Sequence, residues 1–504
     1  MFVIIIISFL VVVLSLLYDY VKNKRKFDLI EKFPGPVAQP IVGNAFNYAA
    51  KSAEDVIKLI LESHQTYGNS YRTKIYNDVT VWTSDLKIIS TVLGTSTKVL
   101  TKSPLYDFLR PWIGEGLLTG TGKKWRAERK VMAPMFHSKF FEYFVNVFSQ
   151  RGEALVEKLK STKDGDAVDV LGLSYLTALD SICEIMCDER IDALNDSDSE
   201  YVKAMTEVMD VLGSRFSSFW TKNEFLFNLL PWPGKDKYNK TLEAINSFSN
   251  KVILKRREHL MMKRAGDYNS DDESSSKIVF VDLLLQGTVD GNPLGNDAIL
   301  DQVNTLTFNG RNSSPVAIAF VLYALGQHKN IQEKVFEEIK NIFGSDKNEP
   351  ITSQQLQELT YLDWVIKETM RLYPPIPAIA RYIEEDICLD DGRIIPADSS
   401  LALTLFVAFR NPSTFPDPND FIPDRFDPNG GVSSTIDPMA FIPFSSGPRN
   451  CIGQKYALLL IKTIVVQVLR NYEIIPKGEA PVIFPQIVLR SKNGVEIGLK
   501  SRVY

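Results

Sequence analysis

Ten residues near the C-terminus, Phe444-Ser445-Ser446-Gly447-Pro448-Arg449-Asn450-Cys451-Ile452-Gly453, constrain this chain more than any other stretch. They read as a stiff Gly/Pro loop that delivers one cysteine to the start of an apolar run from Ile452 to Leu469. That run contains no proline and predicts a long buried helix. A thiol becomes a strong ligand as the thiolate, and a helix N-terminus, a cationic neighbour and a metal each lower its pKa. Arg449, two residues before the cysteine, is the candidate cation. Gly447 and Gly453 lack a Cβ, so the backbone can bend sharply, approach a flat group closely and leave amide N–H groups for the sulfur. Cys451 is read as a metal ligand. The competing reading, an inert core cysteine, would be the better one for a lone Cys before Gly without the rest of the pattern.

For 504 residues the length prior is about three domains. No low-complexity linker separates independent cores, so the expectation is one large helix-rich domain with a smaller sheet-containing lobe, mainly α with a β part (α+β). A net charge of -4 with both signs abundant argues against nucleic acid as a partner. Four cysteines, at 183, 187, 388 and 451, are too few for a disulfide scaffold. Cys183 and Cys187 lie one helical turn apart with no second Cys/His pair, which reads as core thiols rather than zinc ligands.

Residues 1 to 18 carry no charge and are just long enough for a short transmembrane helix. Lys22, Lys24, Arg25 and Lys26 follow the segment rather than precede it, the arrangement of a retained signal-anchor with the body in the cytosol. The sequons at Asn195, Asn239 and Asn312 are then expected to stay unused. Phe33-Pro34-Gly35-Pro36 and Pro40 stiffen the next stretch into a spacer. The expected division is 1–21 anchor, 22–44 basic and proline-rich hinge, and 45–504 body. Residues 53–67 have helical periodicity, and Tyr71–Tyr76 and Val79–Trp82 alternate around Asn77-Asp78 as in a hairpin.

Trp125 and Arg129 are four apart and share one helical face, where an indole N–H and a guanidinium can hold an anion. The surrounding Lys/Arg residues would form a basic docking surface for an acidic partner. The stretch from Phe216 through Phe219-Trp220 and Phe225–Trp232 would line a channel, touch a bilayer or pack on the core. Ala265–Lys277 is acidic, polar and expected to be mobile. A long helix is predicted over Asp297–His328. Gly310 weakens its middle, and Pro315 cannot donate to the Arg311 carbonyl, so a local kink with a free acceptor is expected there. Glu368 and Arg371, three apart, face the same way.

The cysteine loop resembles the haem-binding loop of the cytochrome P-450 monooxygenases, F-x-x-G-x-R-x-C-x-G, met at Phe444, Gly447, Arg449, Cys451 and Gly453. The proline-rich segment resembles the family's microsomal hinge. Trp125 and Arg129 resemble its W-x-x-x-R propionate site, and Arg381 matches a second propionate ligand. Glu368, Arg371 and Arg425, in Phe421-Ile422-Pro423-Asp424-Arg425-Phe426, resemble its Glu-Arg-Arg network, and residues 411–440 its ordered meander. The helix around Gly310 resembles the distal helix, whose usual A/E-G-x-D-T-T places an acid and an alcohol beside bound oxygen. Here Asn312 stands for the acid and Ser313 for the threonine, and Asn309 occupies the position of a haem-linked glutamate in some family-four relatives. Asparagine cannot release a proton near neutral pH. Residues around Gly114–Leu118, Phe280–Leu284 and Gly453–Ala457 look most like the animal family-four group, insect members in particular.

The resemblance implies the cytochrome P-450 fold and haem b held through Cys451, with Arg449, Phe444, Trp125, Arg129 and Arg381 around it. It implies insertion of one atom of dioxygen into a fatty acid, hormone-like lipid or xenobiotic, with Asn312, Ser313 and water managing protons. Electrons would come from NADPH through NADPH-cytochrome reductase, with cytochrome b5 as a second donor, at the endoplasmic reticulum membrane. The Asn312-Ser313 pair keeps two other readings open: an isomerase or dehydratase of oxidised lipids, and a non-catalytic haem or lipid binder.

Overall fold

The computed structural model describes residues 2–48, 52–94, 99–217, 227, 229, 234–265, 279–430 and 436–502. Of the apolar stretch Phe225–Trp232 only Phe227 and Leu229 are described. Phe227 is buried, edge-on to Tyr238 at 5.4 Å, which is core packing. Phe219 and Trp220, the Phe216 side chain and the acidic stretch beyond Ala265 lie outside the described residues.

The chain builds a large helical core and a smaller sheet lobe. Seven helices position the site: α1 (Phe2–Ile30), α2 (Gly122–Met132), α3 (Phe141–Leu159), α4 (Val170–Cys187), α5 (Asn296–Gln327), α6 (Thr360–Leu372) and α7 (Gln454–Asn471). α5 packs along α4 and crosses α7, and α7 packs on α3. From Ile299 to Gly326, α5 is buried on nearly all sides, as expected of a helix enclosed by a bundle. Gly310 allows its close approach to α4, since a Cβ there would lie 2.7 Å from Ile182 Cγ1. The expected kink is not a break, because α5 runs helical through Pro315. α4 is apolar enough to cross a membrane but is mostly buried inside the body. Asp169 caps it by accepting from the N–H groups of Leu171 and Gly172. Cys183 and Cys187 on α4 are free and buried, and burial pushes both thiols up, so they are inert core groups.

The lobe is a four-stranded sheet ordered β1 (Ser70–Ile75), β2 (Asp78–Thr83), β4 (Ser399–Leu403), β3 (Ile379–Ile383). β1 and β2 form the expected hairpin one residue earlier than Asn77-Asp78. Ile75 pairs with Asp78, so Tyr76-Asn77 make the turn and Tyr76 takes φ 56°. β2 runs parallel to β4, and β4 antiparallel to β3, which places Arg381 opposite Leu401 in the buried sheet.

α1 crosses the expected 21/22 boundary without a break, because no proline or glycine occurs before Pro34. Its C-terminal turns pack on the sheet lobe. Phe27, Ile30 and then Phe33 enter the core of the sheet lobe. The Tyr76 hydroxyl donates to Asp19 at 2.5 Å, Arg25 pairs with Asp386, and Lys26 donates to the Asp398 carbonyl at 3.3 Å. In the N-terminal half Ile7, Leu10, Val11, Leu14 and Leu17 are exposed.

Candidate active site

The cysteine loop folds back on itself. Gly447 has φ 70°, and a Cβ there would meet the Leu93 carbonyl oxygen at 2.5 Å, so this bend requires glycine. Gly453 is different: it has φ -91°, and the Phe136 ring at 3.5 Å is the only near neighbour a Cβ would meet. The Cys451 N–H donates to the Phe444 carbonyl at 2.9 Å, which closes the loop. α7 begins at Gln454, two residues later than the start of the apolar run at Ile452, with Gly453 as its N-cap. Cys451 is surrounded by protein but keeps an open surface because it lines an internal cavity. Burial holds its thiol up, while the Gly453 N–H and Arg129 pull it down. The cation whose charge acts on this thiol is Arg129, on α2.

The same cavity is lined by Phe444, Trp125, Arg129, Arg381, Arg449, Asn309, Asn312 and Ser313, so the fold brings these sequence candidates together around one space, while Glu368, Arg371 and Arg425 lie outside its lining. It lies between the cysteine loop and the middle of α5. One part of its wall is strongly cationic. Arg449 lies over the Trp125 ring at 4.1 Å and donates to the Gly120 carbonyl at 2.8 Å, and Arg129 lies 5.6 Å from the same ring. Arg129 also donates to Asn450 Oδ1 at 2.7 Å. Arg381 is 1 % exposed and bridges through its backbone to Lys102. Lys102 lines the cavity as well, and nothing in the sequence marks it, since a lone Lys in Thr101-Lys102-Ser103 belongs to no motif. Burial, then Arg381 and Arg129, push the Arg449 guanidinium down to about 9, and burial, then Arg381 and Arg449, push Lys102 down.

Among the described residues no Asp or Glu lines this cavity. Three buried donors on its wall, Trp125 Nε1, Arg381 Nε and Arg449 Nη1, have no partner. Buried donors and cations left unpaired are costly, so this wall is built for anionic acceptors. A flat group carrying carboxylates at one edge and a thiolate-seeking metal at its centre fits these residues. Much of the remaining lining, including Leu105, Phe108, Leu117, Leu118, Leu306, Phe308 and Ile487, is apolar.

α5 holds part of that apolar wall in place. Asp301 accepts from the Glu115 N–H at 2.9 Å and Gln302 from the Leu117 N–H at 3.0 Å. Asn304 donates to the Trp112 carbonyl at 3.1 Å and Thr305 to that of Ile113 at 3.3 Å. Gln302 also donates to the buried Glu128, the residue before Arg129, at 2.7 Å. The loop that carries Leu117 and Leu118 is thus fastened by side chains of the helix facing the cysteine. The sequence offered no signal for this strap.

At the centre of α5, Asn312 is 2 % exposed. Its Nδ2 donates to the Phe308 carbonyl at 2.6 Å and its Oδ1 accepts from Arg311 at 3.2 Å. Ser313 is half-buried and donates to the Asn309 carbonyl at 3.1 Å. Behind the cysteine loop, Arg371 makes a two-pronged pair with Glu368 at 2.7 and 2.8 Å, and Arg425 reaches the same carboxylate at 3.3 Å. Substituting Gly447 by Ala should cost about 1–2 kcal/mol for the left-handed backbone alone, with the Leu93 clash added. The expected outcome is a lowered melting temperature and a reduced haem content after purification.

Relatives give the same assignment. The family model described as Cytochrome P450 matches residues 33–497. Cytochrome P450 4d2 of Drosophila melanogaster is 36% identical over 493 residues, covering 97% of each chain. Probable cytochrome P450 4d20 of the same organism is 36% identical over 502 residues, again with 97% of each chain covered. Cytochrome P450 4c3, also from Drosophila melanogaster, is 34% identical over 97% of this chain and 93% of its own. With the family model covering most of the chain and these relatives aligned along nearly its whole length, the chain belongs to the cytochrome P450 family.

Proposed function

We propose that the chain is a haem-thiolate monooxygenase that oxidises a lipophilic substrate using NADPH electrons delivered by a reductase. The observation that carries this reading is the cavity in which Cys451 faces the middle of α5 across apolar walls, with unpaired donors at one side. Cys451 would hold the haem iron, and Trp125, Arg129, Arg381, Arg449 and Lys102 would take the two propionates. When bound, the haem supplies the redox and oxygen chemistry of the reaction. The protein supplies the rest. The Gly453 N–H and Arg129 favour the thiolate over the thiol. The cationic wall fixes the cofactor's orientation by charge-assisted hydrogen bonds. Leu105, Phe108, Leu117, Leu118 and Ile487 exclude water and favour a long apolar substrate. Ser313 and Asn312 line the cavity from α5, where protons must be handled.

The exposed Lys123, Lys124, Arg126 and Lys130 on α2 would dock the acidic reductase, or cytochrome b5, close to the Cys451 side of the site. The exposed apolar half of α1 would anchor the protein in the endoplasmic reticulum membrane with the body in the cytosol. Because the far half of that helix is packed on the sheet lobe, the anchor would fix the body's tilt rather than tether it loosely.

The test uses purified protein, a reductase, NADPH and a panel of fatty acids, with oxygenated product counted against hydrogen peroxide. Product formation that requires both NADPH and the reductase is the expected result. A second reading, an isomerase or dehydratase of oxidised lipids, is favoured by one observation: neither residue 312 nor 313 is an acid, and both are bonded to helix carbonyls. Turnover of a lipid hydroperoxide without NADPH or reductase would select it. Ligand-induced spectral shifts without product in either assay would leave a non-catalytic binder.

A further inference from the structure

Arg311 is the least expected residue of α5. It is 4 % exposed, and among the described residues no carboxylate lies within ion-pair reach of it. Its Nη1 donates to Asn312 Oδ1 at 3.2 Å and its Nη2 to Thr206 Oγ1 at 3.0 Å, its guanidinium lies over the Tyr175 ring at 5.2 Å, and its Nε has no partner. Asp210 is taken by Arg490 at 2.8 Å. Burial brings the Arg311 pKa down to about 10, which leaves it charged at neutral pH.

This arrangement leaves the Asn312 amide one orientation. A guanidinium only donates and a carbonyl only accepts. Oδ1 must therefore face Arg311 and Nδ2 must face the Phe308 carbonyl, and a flip would set N–H against N–H and oxygen against oxygen. Asn312 is both non-ionisable and fixed, although it lines the cavity. Ser313 differs. Its hydroxyl is half-buried, lines the same cavity and is held by a single bond to the Asn309 carbonyl, worth about 1 kcal/mol. It can rotate, give a proton into the cavity and regain one from water.

We propose that Arg311 is a positioning residue that holds side chain 312 out of proton handling and leaves Ser313 as the proton-exchanging group of this turn. This rests on the monooxygenase reading for its catalytic consequence but not for its structural content. It follows that an acid placed at 312 would be captured by Arg311 as an ion pair, and would act as a proton donor only after Arg311 is removed. Without the cation, burial favours the neutral, protonated carboxyl.

The experiment compares native holoenzyme, Asn312→Asp, Arg311→Gln and the double variant, with haem content as the folding control. The first readout is the infrared signature of a protonated carboxyl at neutral pH. It should be absent in Asn312→Asp and present in Arg311→Gln/Asn312→Asp. The second is product per peroxide with a reductase and NADPH. It should be at least about fivefold higher in the double variant than in Asn312→Asp, a threshold set well inside the roughly 100-fold reach of one acid-base group. A protonated carboxyl in Asn312→Asp alone overturns the proposal. If Arg311→Gln does not load haem, the single variant decides: an ionised carboxylate supports the hold and a protonated one refutes it. If no substrate is oxygenated by any variant, the monooxygenase reading fails, while the infrared comparison still judges Arg311.

Discussion

Replacing Glu368 by Gln is expected to destabilise the protein by roughly 3–5 kcal/mol, the cost of breaking a buried ion pair from one side. Four N–H donors converge on this one carboxylate. Oε2 accepts from Arg371 Nε at 2.7 Å. Oε1 accepts from Arg371 Nη2 at 2.8 Å, the Ile422 N–H at 2.9 Å and Arg425 Nε at 3.3 Å. Glu368 and Arg371 are both 0 % exposed. An amide has one acceptor oxygen, so either orientation of Gln turns an N–H against a guanidinium N–H, and two buried cations lose their counter-charge. Arg371 also donates to the carbonyls of Phe409, Pro418 and Asp420 at 3.0, 2.6 and 3.0 Å. The loss should therefore spread into the meander that leads to the cysteine loop, lowering haem retention along with the denaturation midpoint. Denaturant titration of the holoenzyme checks it. A midpoint equal to native would mean that the three carbonyl contacts hold the meander without the carboxylate.

The parts of the site that could be read in the sequence are those whose geometry is local. Trp125 and Arg129 meet because four residues make about one helical turn, and Glu368 and Arg371 because three do. The cysteine loop is ten consecutive residues whose turn chemistry is written in Gly447 and Pro448. What escaped the sequence depends on contacts between distant segments. Lys102 joins the cationic wall only because its strand edge bridges to Arg381. Arg311 acquires its role from Thr206, 105 residues earlier in the chain. The strap between α5 and the Trp112–Leu117 backbone spans more than 180 residues. None of these has a period or a fixed spacing to detect.

Helix α1 runs on past the expected start of the hinge for a related reason. Proline marks where the chain is stiff, and the basic cluster at Lys22–Lys26 looks like a polar boundary. A helix nevertheless ends where its packing ends, and Phe27 and Ile30 find a place in the sheet lobe. The same logic separates the two glycines of the cysteine loop. Gly447 is demanded by the fold itself, whereas at Gly453 the backbone and its described protein neighbours leave room for a methyl group.

Cys451→Ala is expected to abolish haem retention while leaving the polypeptide folded. The loop is closed by the backbone bond from the Cys451 N–H to the Phe444 carbonyl, by the Gly447 bend and by Arg449 on Gly120, none of which uses the sulfur. Propionate contacts alone would leave the metal without its protein ligand, so haem should be lost on dilution even though the cationic wall is intact. Cys451→Ser separates shape from charge, because a hydroxyl of nearly the same size does not ionise near neutral pH. pH gives a further check. Burial holds the free thiol up, and coordination needs the thiolate, so loading releases a proton and haem affinity should rise with pH up to the thiol's own pKa. That slope should vanish in Cys451→Ser. Haem content after purification, circular dichroism and haem titration at several pH values measure the three effects. A haem-thiolate absorption spectrum retained by Cys451→Ala would transfer the ligand role elsewhere, and no other cysteine lines the cavity among the described residues.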